Sequence, residues 1–195
     1  MTTRHPSMSV MDAIHQRCSV RAYQPKAIDR TDIRALLAAA VRAPTAVHEE
    51  PWAFVVIQDA KMLTRISDRA KPLFVEAAHR AHLDRGGHAL DRFTSPDFNI
   101  FYNAGTLIVI CGRGAGPFVA ADCWLAAENL MLAACAMGFG TCVIGSALPA
   151  LNSPETKAEI GIPDGVTAIA PIIVGVPADQ TPTTPRKEPQ ILAWA

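Results

Sequence analysis

Three short segments bring together residue types that can hold an anion and a flat ring. Arg17-Cys18-Ser19-Val20-Arg21 sets two guanidinium groups four residues apart around a serine hydroxyl. Arginine presents a planar fork of donors, so this spacing can wrap a phosphate; as a plain helix end, the same charges would offset a macrodipole. Ala43 to Trp52 is a polar loop between a proline stop and Pro51-Trp52, and it carries Pro44, Thr45, Ala46 and His48. Loops between rigid elements hold ligands, although this one also reads as an ordinary helix-to-strand connection. Gly138-Phe139-Gly140-Thr141-Cys142-Val143-Ile144-Gly145 spaces its glycines so that backbone N–H groups can approach a flat ligand, or it is a helix stop followed by a strand. Pro185-Arg186-Lys187, near the end, offers a further phosphate partner in Arg186 if the tail folds back, and a solubilising charge pair otherwise.

Other chemistries lack their residues. Gly112-Arg113-Gly114-Ala115-Gly116-Pro117 invites a dinucleotide fingerprint, but Pro117 stands where G-x-G-x-x-G needs glycine, and the run reads as a turn. His79, His82 and His88 are too loosely spaced to argue for a metal, and none is expected. No G-x-S-x-G elbow supports a serine hydrolase. Five cysteines, an odd number without a C-x-x-C pair, make neither a disulfide framework nor a zinc ribbon.

The elements that must position these residues follow from periodicity and caps. Ser9 to Gln16 is a short helix with Ser9 and Asp12 spaced as a capping box. A second helix starts at Asp29 with an apolar face of Ile33, Leu36, Leu37, Ala40 and Val41, and Pro44 ends it. Trp52–Ile57, Thr106–Cys111, Thr141–Ile144 and Ala168–Val174 read as strands. Lys61 to about Leu83 is helical. Asp84 to Phe101, with Gly86, Gly87 and Pro96, reads as a mobile insert and a candidate lid. Val119 to Met137 is apolar nearly all round, which predicts a central helix packed on every side and stopped at Gly138. Ser153, Pro154 and Gly161 frame another short helix. The tail from Pro177 is proline-rich and extended, yet ends in Ile191, Leu192 and Trp194, which want burial.

At 195 residues the chain has room for one domain, over 1–195, with a substantial core. Half of it is hydrophobic and 18% is charged, which excludes a disordered chain. Lysine plus arginine equals aspartate plus glutamate, 18 each, which argues against non-specific nucleic-acid binding. So little net charge points to an oligomer with an apolar interface. Met1 to Val10 has no apolar signal core, and Asp122, Glu128 and Asn129 interrupt the longest apolar run, so the expected compartment is a reducing cytoplasm, with no membrane partner. The fold class is α+β: a small sheet around a central apolar helix.

In order, these segments resemble the nitroreductase family of FMN-dependent flavoproteins. Arg17-x-Ser19-x-Arg21 is similar to its R-x-S-x-R, and Pro44 to Trp52 to its P-S-x-x-N-x-Q-P-W. The helix from Asp122 through Asn129 to Gly138, then Gly140 to Gly145, is similar to its D-x-x-x-A-x-x-N-x-x-L-A-A-x-x-x-G-x-G-s-x-x-I-G. Gly161-Ile162-Pro163, the Val174-Gly175-Val176-Pro177 turn and Arg186-Lys187 resemble its closing segments. The resemblance implies a mostly antiparallel central sheet flanked by helices, and a homodimer with FMN at the interface and the tail reaching the partner. By it, Arg17, Ser19 and Arg186 bind the FMN phosphate, and Cys18 also belongs to the cofactor site. Arg21 lies near the pyrimidine edge of the flavin. Pro44, Thr45, Ala46 and His48 contact the ring from the other subunit, and Ile144-Gly145 offers backbone to its N5 edge. No side chain is expected to be the catalyst, since the flavin carries the chemistry. The implied activity is hydride transfer from NAD(P)H through FMN to a nitroaromatic, quinone or similar flat acceptor. The same scaffold also admits oxygen-dependent flavin breakdown, reductive dehalogenation, or flavin binding without turnover. His48 stands where the family usually has asparagine, and Glu50 where it has glutamine.

Overall fold

The computed structural model describes residues 8–82 and 90–195. Along the chain run α1 (Val10–Gln16), α2 (Arg30–Ala40), β1 (Trp52–Ile57), α3 (Ala60–Arg80), β2 (Thr106–Arg113), α4 (Val119–Ala136), β3 (Gly140–Val143), α5 (Leu148–Leu151), α6 (Pro154–Ile160) and β4 (Val166–Gly175). The four strands form one sheet in the order β1-β2-β4-β3, and every neighbouring pair is antiparallel. This removes the dinucleotide reading of Gly112–Gly116, which requires a parallel βαβ unit.

The inner strands β2 and β4 are apolar on both faces because both faces are covered. On one side Leu107, Val109, Cys111 and Ile173 meet Leu63, Ile66 and Ala70 of α3, with Ala150 and Leu151 of α5. On the other, Ile108, Ile110, Ile172 and Val174 meet Ile33 and Leu36 of α2, with Ala126, Ala127 and Leu130 of α4. A bulge lies between them: Ile110 pairs with Ala170 but Cys111 with Ala168, leaving Ile169 over. The extra residue switches the pleat, so Ala168 packs on the α3 side and Ala170 on the α4 side.

Local signals decide the helix ends. The Ser9 hydroxyl accepts from the Asp12 N–H at 3.1 Å while the Ser9 N–H donates to the Asp12 carboxylate at 3.3 Å, a reciprocal cap on α1. Ser153 caps α6, Pro154 opens it, and Gly161 closes it in the left-handed conformation at φ 76°.

Three expectations need correction. First, α4 is not packed on every side. Its sheet-facing residues are buried, but Trp124, Leu125 and Glu128 are exposed, and Phe118 just before it is exposed too. By length and composition alone α4 could cross a membrane; here one face lies on the sheet and α2. Second, the described part of the insert, 90–101, is folded onto α3. Phe93, Ile100 and Phe101 are buried, and the Lys71 ammonium, itself buried, donates to the carbonyls of Ser95, Pro96 and Phe98 and pairs with Asp68 at 2.9 Å. The rest of that insert, including Gly86, Gly87 and His88, lies outside the described residues. Val41, expected on the buried face of α2, sits past its last turn and is exposed.

Candidate functional site

The segment after α1 runs along the free edge of β3. Val20 N–H donates to the Thr141 carbonyl at 2.9 Å, Ser19 bridges Thr141 in parallel, and Tyr23 bridges Pro177 beyond β4. Residues more than a hundred positions apart therefore share one small ladder. Glycine is required where the ladder is tightest: a Cβ on Gly140 would lie 2.7 Å from the Val20 side chain. The Tyr23 hydroxyl donates to the Val20 carbonyl at 2.8 Å, and burial raises its pKa, so it serves as an anchor rather than an acid.

Two cavities take residues from this segment and from β3. One, of about 460 Å³, is lined by Arg17, Cys18, Val20, Cys135, Gly138–Thr141 and the start of the tail at Pro177–Thr181. The other, of about 200 Å³, is lined by Arg21, Cys142, Val143, Ile144, Gly145 and an aromatic group from the 93–102 region. Arg17 and Cys18 thus share one cavity, while Arg21 joins Ile144 and Gly145 at the other.

Arg17 is 19% exposed, and its one ion pair among the described residues is a long 3.9 Å contact to Glu128 of α4. Arg21 is exposed and has no carboxylate partner among the described residues. Both cations keep donors available for an anion. The nearby thiols are not activated nucleophiles. Burial raises the Cys142 thiol, with Arg21, a Ser19 hydrogen bond and Arg17 pulling the other way, and burial likewise raises Cys135. The Cys18 sulfur instead sits 3.8 Å from the Thr181 carbonyl, holding the first residues of the tail against the cavity.

Gly145 differs from Gly140. Nothing lies within 4 Å of the position its Cβ would take, and its φ is not in the left-handed region. Neither packing nor backbone geometry within the chain asks for glycine there. The absent side chain leaves backbone bare towards the cavity, which suits a flat ring.

The loop from Pro44 to Glu50 lies elsewhere. Val47, His48 and Glu50 adopt positive φ of 48°, 57° and 46°. Such conformations cost on the order of 1–3 kcal/mol each for a residue with a side chain, and persist where surrounding structure enforces them. Asp122 of α4 enforces this one: its buried carboxylate accepts from the Ala46 N–H. Arg113 assists, donating to the Glu50 carbonyl at 3.2 Å. Thr45 and Ala46 are half-buried, and Pro44 and His48 are exposed. None of these four lines either cavity within one chain. Asp122 and Glu128 lie about 9 Å apart along α4 and about a third of a turn around it. The loop and Arg17 therefore flank different sides of the same helix. Arg186 is exposed in the tail and does not line the Arg17 cavity.

The sequence marks Asp122 and Asn129 as breaks in an apolar run and as motif positions, but not what they do: Asp122 pins the loop, and the Asn129 amide donates to the Ala39 carbonyl at 3.3 Å and ties α4 to the end of α2.

These features define an α+β protein with a four-stranded antiparallel sheet between helices, a cationic segment laid along one sheet edge, and a strained loop pinned to its main helix. The chain matches the model of the Nitroreductase family over residues 14–176 and belongs to that family. It is similar to a protein of Archaeoglobus fulgidus described as a candidate NADH dehydrogenase/NAD(P)H nitroreductase, with 28% identity over 175 residues, 86% of this chain and 84% of the relative. An iodotyrosine deiodinase of Thermotoga neapolitana is 25% identical over 185 residues, 91% of this chain and 93% of the relative. In structure it resembles a Bacteroides fragilis nitroreductase with bound FMN, at a TM-score of 0.80 and 26% identity, covering 95% of this chain and 98% of that one.

Proposed function

We propose that this protein is an FMN-dependent oxidoreductase that takes hydride from NAD(P)H and delivers it to a nitroaromatic, quinone or similar flat acceptor. The observation that carries the reading is the ladder between Ser19-Val20 and Thr141, which joins the Arg17–Arg21 cations to the Ile144-Gly145 backbone at one sheet edge. When bound, FMN supplies the two-electron redox chemistry. Arg17 and Ser19 hold its phosphate, with Arg186 joining when the tail docks. Two guanidinium groups and a hydroxyl are about what a buried dianion needs. Arg21 presents positive charge to the pyrimidine side of the ring, which favours the reduced, anionic form. Ile144-Gly145 offers backbone to the N5 edge of the ring, with no side chain at Gly145 to block it. Pro44, Thr45, Ala46 and His48 complete the site from a second copy. This accounts for a loop held in strain yet distant from the cations of its own chain.

A second copy also accounts for the exposed apolar surface. Val10, Met11 and Ile14 of α1, Trp124 and Leu125 of α4, and Leu192 and Trp194 of the tail are large apolar side chains left exposed on one copy. A homodimer buries it.

The test is a visible spectrum of purified protein before and after FMN addition, followed by mixing with NADH and NADPH. Flavin absorption that bleaches on mixing and recovers with nitroaromatic or quinone supports the reading; protein that takes up no FMN overturns it. The deiodinase relative favours reductive dehalogenation as a second reading. Turnover confined to halogenated phenols would select it.

A further inference from the structure

The segment between α3 and β2 brings a box of rings to the cavity lined by Arg21 and Gly145. Phe74 of α3 lies 4.8 Å from Phe93, centre to centre; Phe93 meets Phe98 edge-on at 5.4 Å; Phe98 meets Tyr102 edge-on at 5.7 Å. Arg92 lies across this box. Its Cζ is 5.3 Å from the centre of the Phe93 ring and 5.5 Å from that of Phe98, and its Nη1 donates to the Tyr102 hydroxyl at 3.5 Å. Two ring faces and a hydroxyl hold the guanidinium without neutralising its charge. Among the described residues no carboxylate pairs with Arg92, and no aspartate or glutamate lines the cavity.

A cation restrained in this way loses less freedom on binding an anion than a solvated side chain does. The cavity is about 200 Å³, below the roughly 300–1,000 Å³ of pockets for larger ligands, and in the proposed reaction the flavin ring shares it, so an acceptor has room for no more than one ring. Arg21 is already committed to the flavin in the proposed reaction, so Arg92 is the cation left to face the acceptor.

We propose that Arg92, held over Phe93 and Phe98 at the cavity bounded by Arg21 and Ile144-Gly145, is the specificity-determining residue that selects single-ring aromatic acceptors carrying a carboxylate. The inference rests on the flavin-reductase reading. It goes further in giving the acceptor a charge and a size, and in naming the group that reads them.

Two acceptors with the same ring and nitro group, 4-nitrobenzoate and 4-nitrobenzamide, differ in charge and test this with the FMN-loaded protein. The expected wild-type ratio of kcat/KM favours the benzoate about tenfold, the size of one exposed charge-assisted contact. Arg92→Gln brings the ratio close to one, and Arg92→Lys restores part of it. Benzoate, which has no nitro group to reduce, gives a readout independent of turnover. Its calorimetric affinity for the oxidised, loaded protein falls about tenfold in Arg92→Gln, and in wild type it weakens with added salt. A wild-type ratio near one, or a preference that survives Arg92→Gln, overturns the role of Arg92 while leaving the flavin reading intact. Protein that takes up no FMN overturns both.

Discussion

The backbone N–H of Ala46 donates to both carboxylate oxygens of Asp122, at 3.2 and 3.3 Å. One buried side chain on α4 thereby sets the position of a loop that holds three non-glycine residues at positive φ. Asp122→Ala leaves that N–H without its acceptor, at a loss of about 1–3 kcal/mol. For a chain of this length the fall in Tm is about 2–12 °C. Circular dichroism melts measure it. Asp122→Asn retains an acceptor and recovers part of the loss, and both variants hold FMN less well if the loop belongs to the site.

Gly145→Ala separates folding from binding. The added methyl meets open space, so the Tm of flavin-free protein stays within the change of about 0.5 kcal/mol typical of surface substitutions. FMN affinity falls, read by fluorescence titration. Gly140→Ala is the contrasting case: its methyl runs into Val20, and overpacking of this kind costs about 1–3 kcal/mol.

Arg17→Gln removes a cation from the proposed phosphate site and leaves Glu128 without its distant partner. Losing a charge-assisted contact of about 1.5–3 kcal/mol raises the FMN dissociation constant about 10- to 150-fold. Unchanged affinity would detach Arg17 from the flavin.

Leu125→Glu places a charge on the exposed face of α4. Sedimentation velocity is expected to show the dimer giving way to monomer, with FMN lost in parallel. A stable, flavin-loaded dimer would locate the interface elsewhere.

Glu159 tests acid sensitivity at a site remote from the ladder. Hydrogen bonds from Arg65, then Arg69, hold its carboxyl below the ordinary value of 4.5. A lowered folded-state pKa contributes stability above the unfolded value, and that contribution fades as pH falls through the folded one. Wild type and Glu159→Gln therefore differ in Tm at neutral pH, and the difference shrinks as the pH falls below the ordinary carboxylate value and closes below the lowered folded-state one, by differential scanning calorimetry.

Much of the scaffold is legible from local chemistry. The Ser9–Asp12 cap, the Trp52–Ile57 strand and the Gly161 stop each depend on a few neighbouring residues, and each occurs where those residues put it. Alternation could not reveal the bulge at Ile169, since β4 is apolar on both faces and carries no in-out pattern to break. The glycines of the insert drew attention away from Phe93, Ile100 and Phe101, which fold its later part onto α3. Arg92 went unnoticed for the same reason. At α4, composition shows an apolar helix but not which chain covers each face, and Trp124 and Leu125 sit on the face that its own chain leaves bare.

The ladder between Val20 and Thr141 also has a bearing on colloidal behaviour. Strand β3 ends the sheet, and its outward amides and carbonyls would otherwise template pairing with any extended peptide. The polypeptide that gathers the cations occupies that rim. Damage to the ladder would thus expose a sticky margin, and the contacts that gather these cations double as protection against clumping.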